Sequence, residues 1–410
     1  MNNILVLVVL LVLDFYYALR FANLPVEPDF ATFSTWGMLG AVYGRDYVDC
    51  KTPLVHGWLA LLSQIKKEII FIRLAHFVVT GFPSFVYYLL TKDYAGAIAF
   101  MVLIHSGWLL AFHGNVGDIP AGLIFIALIV NNPWVFVGLL VLATLYEPKL
   151  IVATGVMVLT KITSVWLPLT VYIGLFSMGL AALYYWQHPT FDWIVESSFT
   201  IPKRMLSYRK GLYGFMPQFT SVALVFLLPW LLLAILSRPE PLYWLAPALF
   251  LGLQFTGKVI RPNHLLPLVA WIAASGIKPE LVYALSATEF LSSGLYLGDI
   301  WRRFYPALAD IVKDAKSVGE WLRDKPGVLW VNTMYTEIYL YARKKPIYGM
   351  MEVVEVNDVA NERRKIMRSK INRQPPEWIV IGAAGIEYDY KQYQVAAKSG
   401  FFQVLKRRQA

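Results

Sequence analysis

Apolar residues in this chain come in long unbroken runs rather than in the alternation of a half-buried strand or the one-sided stripe of a soluble helix. Eleven runs are read: Ile4–Leu19, Ile69–Leu90, Ala95–Phe112, Ile119–Val130, Trp134–Tyr146, Leu150–Trp166, Leu167–Trp186, Val222–Leu236, Leu242–Phe255, Leu265–Ile277 and Leu281–Leu297. Two long mixed stretches, 21–68 and 188–219, interrupt them. Each run predicts a helix. Several hold only about 12–15 residues, short of the ~20 that cross a bilayer unaided, so tilted, broken or re-entrant segments are expected among them.

After Leu297 the pattern changes to short apolar segments between polar ones. Gly327–Thr333, Pro346–Met350, Glu377–Ala383 and Phe401–Leu405 predict strands, and Glu337–Arg343, Asp358–Asn372 and Tyr390–Lys398 predict helices. Strands alternating with helices predict a small α/β layer. No Gly-rich loop follows either apolar strand, so a nucleotide site of the phosphate-loop kind is not expected. The domain is read as a binding module or a cap over the loops, or as a support for the outer face alone.

Composition agrees with this division. Of 410 residues, 57% are hydrophobic and 16% charged, with a mean hydropathy of +0.52, whereas a globular chain carries roughly 25% charge. The expected fold class is therefore a polytopic α-helical membrane protein of about eleven transmembrane helices, residues 1–297, followed by an α/β domain, 298–410. The first run has no basic segment before it and no small-residue cleavage site after it, and it reads as a retained helix. A single cysteine, Cys50, excludes an intrachain disulfide. The net charge of +10 divides unevenly: residues 298–410 hold 20 Lys and Arg against 13 Asp and Glu, and residues 1–297 hold 17 against 14.

Candidate chemistry sits at the ends of the runs. Asp29 opens a stretch with helical spacing of Phe30, Phe33, Met38 and Leu39. A carboxylate at a helix start beside apolar rings has the setting of a general base, and equally that of a helix cap. Lys51, beside Pro53, suits a lipid phosphate or a snorkelling ammonium. Asp118 stands before an apolar helix with Pro120 in its first turn, which capping explains. His113 lies near it, but no His/Cys spacing suggests zinc.

Lys203, Arg204, Arg209 and Lys210 cluster with Tyr208, Tyr213 and Phe215 and read as solvated charge or as a contact to anionic headgroups. Arg261 and His264 bracket a further turn, where a guanidinium in apolar surroundings wants an anion. Asp14, Arg73, His76, His105, Glu289 and Lys161 fall within or near apolar runs. They read as structural pairs or snorkelling groups, with direct function as the alternative.

The first mixed stretch, with an acid after the first helix and then Gly44-Arg45-Asp46-Tyr47 and Asp49-Cys50-Lys51-Thr52-Pro53-Leu54, resembles the first outer loop of the C-type glycosyltransferase superfamily (GT-C). It is closest to the protein O-mannosyltransferase and aminoarabinose transferase group. Gly117-Asp118, Leu159-Thr160-Lys161, Arg261 with His264-Leu-Leu-Pro, and a terminal α/β domain follow in the same order.

The resemblance implies a membrane glycosyltransferase that moves a hexose from a polyprenyl (dolichyl) phosphate donor to an acceptor hydroxyl on the extracytoplasmic face. Asp29 would be the general base, and Lys51, Asp118, Arg261, His264, Lys203 and Arg204 would contact substrate or lipid phosphate. Phe30 stands where the family has a second acid, and Thr52 where it has proline.

The partners implied are the lipid-linked sugar, membrane lipids and a protein, lipid or glycan acceptor, with no nucleic acid. No cofactor is implied, and the ligand spacing does not support a divalent metal. The N-terminus would be cytoplasmic and the terminal domain outside, which leaves Lys92, Lys161, Arg238 and Lys278 inside and the other 13 cations of residues 1–297 outside, against the positive-inside rule. A glycan- or lipid-elongating mannosyltransferase is the alternative within the class. A lipid-linked sugar transporter or flippase is the alternative outside it.

Overall fold

The computed structural model describes residues 3–22, 28–40, 53–106, 118–147, 150–161, 166–186, 216–256, 265–304, 307–348, 361–382, 385 and 388–408. The helices preceding the sheet are α1 (Asn3–Ala22), α2 (Pro28–Leu39), α3 (Pro53–Ile65), α4 (Ile69–Thr91), α5 (Tyr94–Ile104), α6 (Asp118–Ile129), α7 (Pro133–Tyr146), α8 (Ile151–Lys161), α9 (Trp166–Trp186), α10 (Met216–Ser237), α11 (Pro241–Thr256), α12 (Leu266–Ala273), α13 (Pro279–Phe304) and α14 (Leu308–Leu322). Then follow β1 (Leu329–Asn332), α15 (Ile338–Tyr341), α16 (Asn361–Arg373), β2 (Trp378–Ile381), β3 (Tyr393–Lys398) and β4 (Gln403–Arg407).

The chain forms two compact units. The first contains residues 1–24, 73–182 and 209–304, and the second contains 25–72, 183–208 and 305–410.

At the centre of the first unit are α5 and α12. Every residue of α5 from Ala95 to Ile104 is buried, as is every residue of α12. A helix that is apolar all round must be covered all round, and α12 packs on both α5 and α6 while α1 and α13 close on α5. The outer helices expose their apolar side chains. On α1 the exposed row is Ile4, Val8, Leu11, Phe15 and Leu19, whereas Asp14 and Tyr17 turn inward. On α4, Ile70, Val79, Phe82 and Leu90 face outward while Arg73, His76, Thr80 and Ser84 are buried. This is the reverse of a soluble amphipathic helix.

The eleven-crossing architecture is not found. Among the described residues, two helices are long and apolar enough to cross a membrane, Asn3–Phe21 and Ile69–Thr91. Several of the other apolar helices are short: α5 and α8 have 11 residues each, α6 has 12 and α7 has 14. At 1.5 Å per residue such helices reach roughly 16–21 Å, against a hydrocarbon core of about 30 Å. Asp93 and Asn132, each capping the helix that follows, cut the runs into these lengths, as does Lys161 at the end of α8. The multi-pass location and the membrane glycosyltransferase function, with its transporter alternative, depended on a bundle of full-length spans. They fall with it.

The second unit pairs α2 with α3 and folds the terminal residues into a four-stranded sheet of order β1-β2-β4-β3. Strands β1 and β2 are parallel, with Leu329 opposite Trp378, while β4 runs antiparallel to both β2 and β3. One face is filled by Trp330, Ile379 and Leu405 with Met367 and Ile371 of α16 and Tyr348 and Tyr393. Thr32 of α2 donates to the Met334 carbonyl just after β1 (3.0 Å).

Two expectations change here. Tyr390–Lys398, expected as a helix, contains strand β3, because Tyr393 and Val395 find cross-strand partners in Arg407 and Leu405. Pro346–Met350, expected as a strand, has a turn at 347–348, where the Tyr348 ring enters the core and its hydroxyl donates to the Gln374 carbonyl.

Candidate functional site

Buried ionisable groups gather in the first unit. On α4, Arg73, His76 and Thr80 stand three and four residues apart, so the helix places them on one face. Asp118, the first residue of α6, meets that face: its Oδ2 lies 2.7 Å from His76 Nε2, with each side chain only 1% exposed. The backbone N–H of Ile119 donates to Asp118 Oδ1 at 2.8 Å. Burial raises the affinity of Asp118 for a proton, but the His76 imidazole and these hydrogen bonds outweigh it and hold the carboxyl below its usual range. The start of a helix adds a favourable dipole.

A second pair lies alongside. His105, at the C-terminal end of α5, has Nδ1 3.0 Å from the Met101 carbonyl and Nε2 3.0 Å from the Phe77 carbonyl. Its Nε2 is also 3.3 Å from Thr80 Oγ1 and 3.8 Å from Asp14 Oδ1. A carbonyl only accepts, so both bonds are satisfied only while both nitrogens carry protons. Burial pulls the imidazole below the ordinary histidine range, against the two carbonyls that favour its charged form. Those opposed forces leave either protonation state incompletely satisfied.

The Tyr17 ring stacks on His105 at 5.6 Å, and its hydroxyl donates to Glu289 Oε2 at 2.9 Å. Phe77 sits between the two histidines, with ring centroids 5.8 Å from His76 and 6.3 Å from His105. Asp14 lies over Gly81 of α4, where any β-carbon would strike its carboxylate. Helix α1 approaches closely because that residue is glycine.

Lys161 has a different role. Its Nζ donates to the carbonyls of Ala127, Leu128 and Val130 at 3.0, 3.1 and 2.9 Å, and it lies 4.7 Å from the Phe136 ring centroid. A cation there closes the C-terminal end of α6.

Of the residues to which the family resemblance gave a role, Asp118 is the one found in a described cluster, and His76 is its partner. Asp29 is the second residue of α2; its side chain lies outside the described residues. Lys51, Lys203, Arg204, Arg261 and His264 also lie outside them. Sequence reasoning passed over Thr80 and Tyr17, and it read Asp14, His76, His105 and Glu289 as structural pairs or snorkelling groups, with direct function as the alternative and no partner named for any of them. Helical spacing was the available signal, since 73, 76 and 80 fall on one side of α4. Among the described residues, no group of three or more His, Cys, Asp and Glu side chains could hold a metal ion.

No protein-family model, no curated protein and no solved structure matches this chain. The likeness of the first loop to the C-type glycosyltransferases therefore rests on its motifs alone.

Proposed function

We propose that the chain is an enzyme and that the buried cluster of the first unit is its acid–base centre. His76 moves the proton, and Asp118 fixes the orientation of its ring. The carrying observation is the 2.7 Å contact between two side chains that are both 1% exposed. A carboxylate held to one imidazole nitrogen favours the imidazolium that forms when the other nitrogen takes a proton. Removal from water strengthens that coupling. The His105–Asp14 pair, with its two competing protonation states, is the place to hold or return a second proton. Buried ionisable groups in contact with one another concentrate at functional sites.

Among the partners expected from the sequence, membrane lipid is kept in this reading. The outward row of α1 and the outward face of α4 are apolar, and these two helices have membrane length.

The test compares the parent protein with His76→Asn and Asp118→Asn in metabolite and lipid extracts, with products followed by mass spectrometry. Product formation by the parent, lost in both variants while their helical circular dichroism is retained, supports the reading. Turnover that survives His76→Asn undiminished, or a parent that converts nothing, refutes it.

A further inference from the structure

Among the described residues, nothing neutralises one buried carboxylate of the second unit. Glu337 stands between β1 and α15 with its side chain 1% exposed, and neither of its oxygens has a hydrogen-bond partner there. Of the described groups, only its own backbone N–H eases its charge, and burial outweighs that, pushing the pKa up from 4.5 to about 7. A buried carboxylate of this kind is stabilised most by a cation brought up to it.

The surroundings supply a further acceptor and aromatic rings. The Thr336 hydroxyl is buried and, among the described residues, has no hydrogen-bond partner. Burial, and after it the charge of Glu337, raises the proton affinity of the Tyr335 and Tyr341 hydroxyls, so both lie within its electrostatic reach. Tyr335 is buried with its ring edge-on to Phe402 at 5.6 Å, whereas Tyr341 is partly exposed. The backbone around the carboxylate is fixed. Thr32 donates to the Met334 carbonyl at 3.0 Å, and the Tyr339 hydroxyl accepts the Val331 N–H at 2.9 Å. Helix α14 presses on α15 so closely that a β-carbon on Gly319 would strike Tyr341 and the Ile338 carbonyl.

These groups select the chemistry of an occupant. Two carboxylate oxygens and a hydroxyl accept hydrogen bonds, and an ammonium offers three donors with the opposite charge. Tyrosine faces attract the same cation. A bare calcium or magnesium ion takes six or more oxygens, and among the described residues no group of three His, Cys, Asp and Glu side chains could hold a metal ion.

We propose that Glu337 anchors a binding site for a protonated amine, reached past Tyr341, with the Thr336 hydroxyl accepting from the ammonium and the Tyr335 and Tyr341 rings beside it. A free small amine and a lysine side chain of another protein share this chemistry. The site is independent of the acid–base cluster in the first unit.

Thermal unfolding of the full chain, titrated with methylammonium chloride, Nα-acetyl-lysine methylamide or sodium chloride, tests it. At pH 8, where Glu337 is ionised, an amine is expected to raise the melting temperature saturably, and sodium chloride at equal concentration is not. At pH 5 a proton occupies the carboxylate, and the amine is expected to bind roughly tenfold or more weaker. Glu337→Gln is expected to abolish the rise and Tyr341→Leu to weaken binding roughly threefold, while Glu320→Gln, at an exposed position on α14, leaves it unchanged. A rise with methylammonium assigns a free amine, and one confined to the lysine derivative assigns a protein lysine. Three results overturn the proposal: no rise with either amine at pH 8, a rise that Glu337→Gln retains, or one that sodium chloride matches.

Discussion

His76 and Asp118 are 42 positions apart in the chain, yet Nε2 and Oδ2 are 2.7 Å apart and closed off from solvent. Removing one partner takes from the other its charged contact inside a buried site. Asp118→Leu is therefore expected to destabilise the first unit by about 3–5 kcal/mol. The double replacement His76→Leu with Asp118→Leu is expected to cost less than the two single changes added together. Thermal unfolding of the four proteins measures the coupling, and simple additivity would show that the pair contributes nothing as a pair.

Glu337 gives the second unit a pH dependence. Its side chain is 1% exposed, and among the described residues neither carboxylate oxygen has a hydrogen-bond partner. Burial pushes its pKa up from 4.5 to about 7. Between those values the folded state keeps a proton that the unfolded state has lost, so stability falls as pH rises. The favourable contribution is complete below about pH 4.5 and gone above about pH 7. The span is about 3 kcal/mol. Urea midpoints of the parent and Glu337→Gln, compared at pH 5 and pH 8, isolate this group, and the variant is expected to gain on the parent as pH rises. An advantage that does not change with pH would assign the burial penalty elsewhere.

Two glycines on the α2–α3 pair separate close approach from mere helix content. A β-carbon on Gly37 would strike the Ala60 backbone, whereas one on Gly57 meets nothing within 4 Å among the described residues. Gly37→Ala is expected to push the helices apart and cost about 1–3 kcal/mol. Gly57→Ala is expected to stabilise by about 0.4–1 kcal/mol through the unfolded chain. Opposite signs in parallel denaturant titrations are the check.

Lys161 closes α6 through three carbonyls. Lys161→Met keeps the aliphatic stem and removes the charge, and is expected to cost about 1–2 kcal/mol after allowance for partial exposure. Hydrogen exchange at the last turn of α6 should accelerate in this variant. Unchanged protection there would mean that solvent satisfies those carbonyls equally well.

Much of the local structure was legible in the sequence. The apolar runs fold as helices because a helix satisfies the backbone hydrogen bonds of an apolar segment within the segment itself, and the alternation after Leu297 yields an α/β sheet. Span length was not legible. An apolar run in sequence does not say where a capping Asp93 or Asn132 will stop one helix and start the next. The β3 segment misled for a related reason: its strand state depends on pairing with β4.

By itself, then, the sequence determined which segments are helical and which residues are charged within apolar surroundings. Tertiary structure alone decided which of those residues meet. Asp118 reads from sequence as a helix cap, and His76 as an isolated histidine. Only the packing of α6 against the inner face of α4 makes them a pair. A lone buried charge is costly, and the fold answers Asp118 by bringing His76 to it, a requirement that is not written at any single position in the chain.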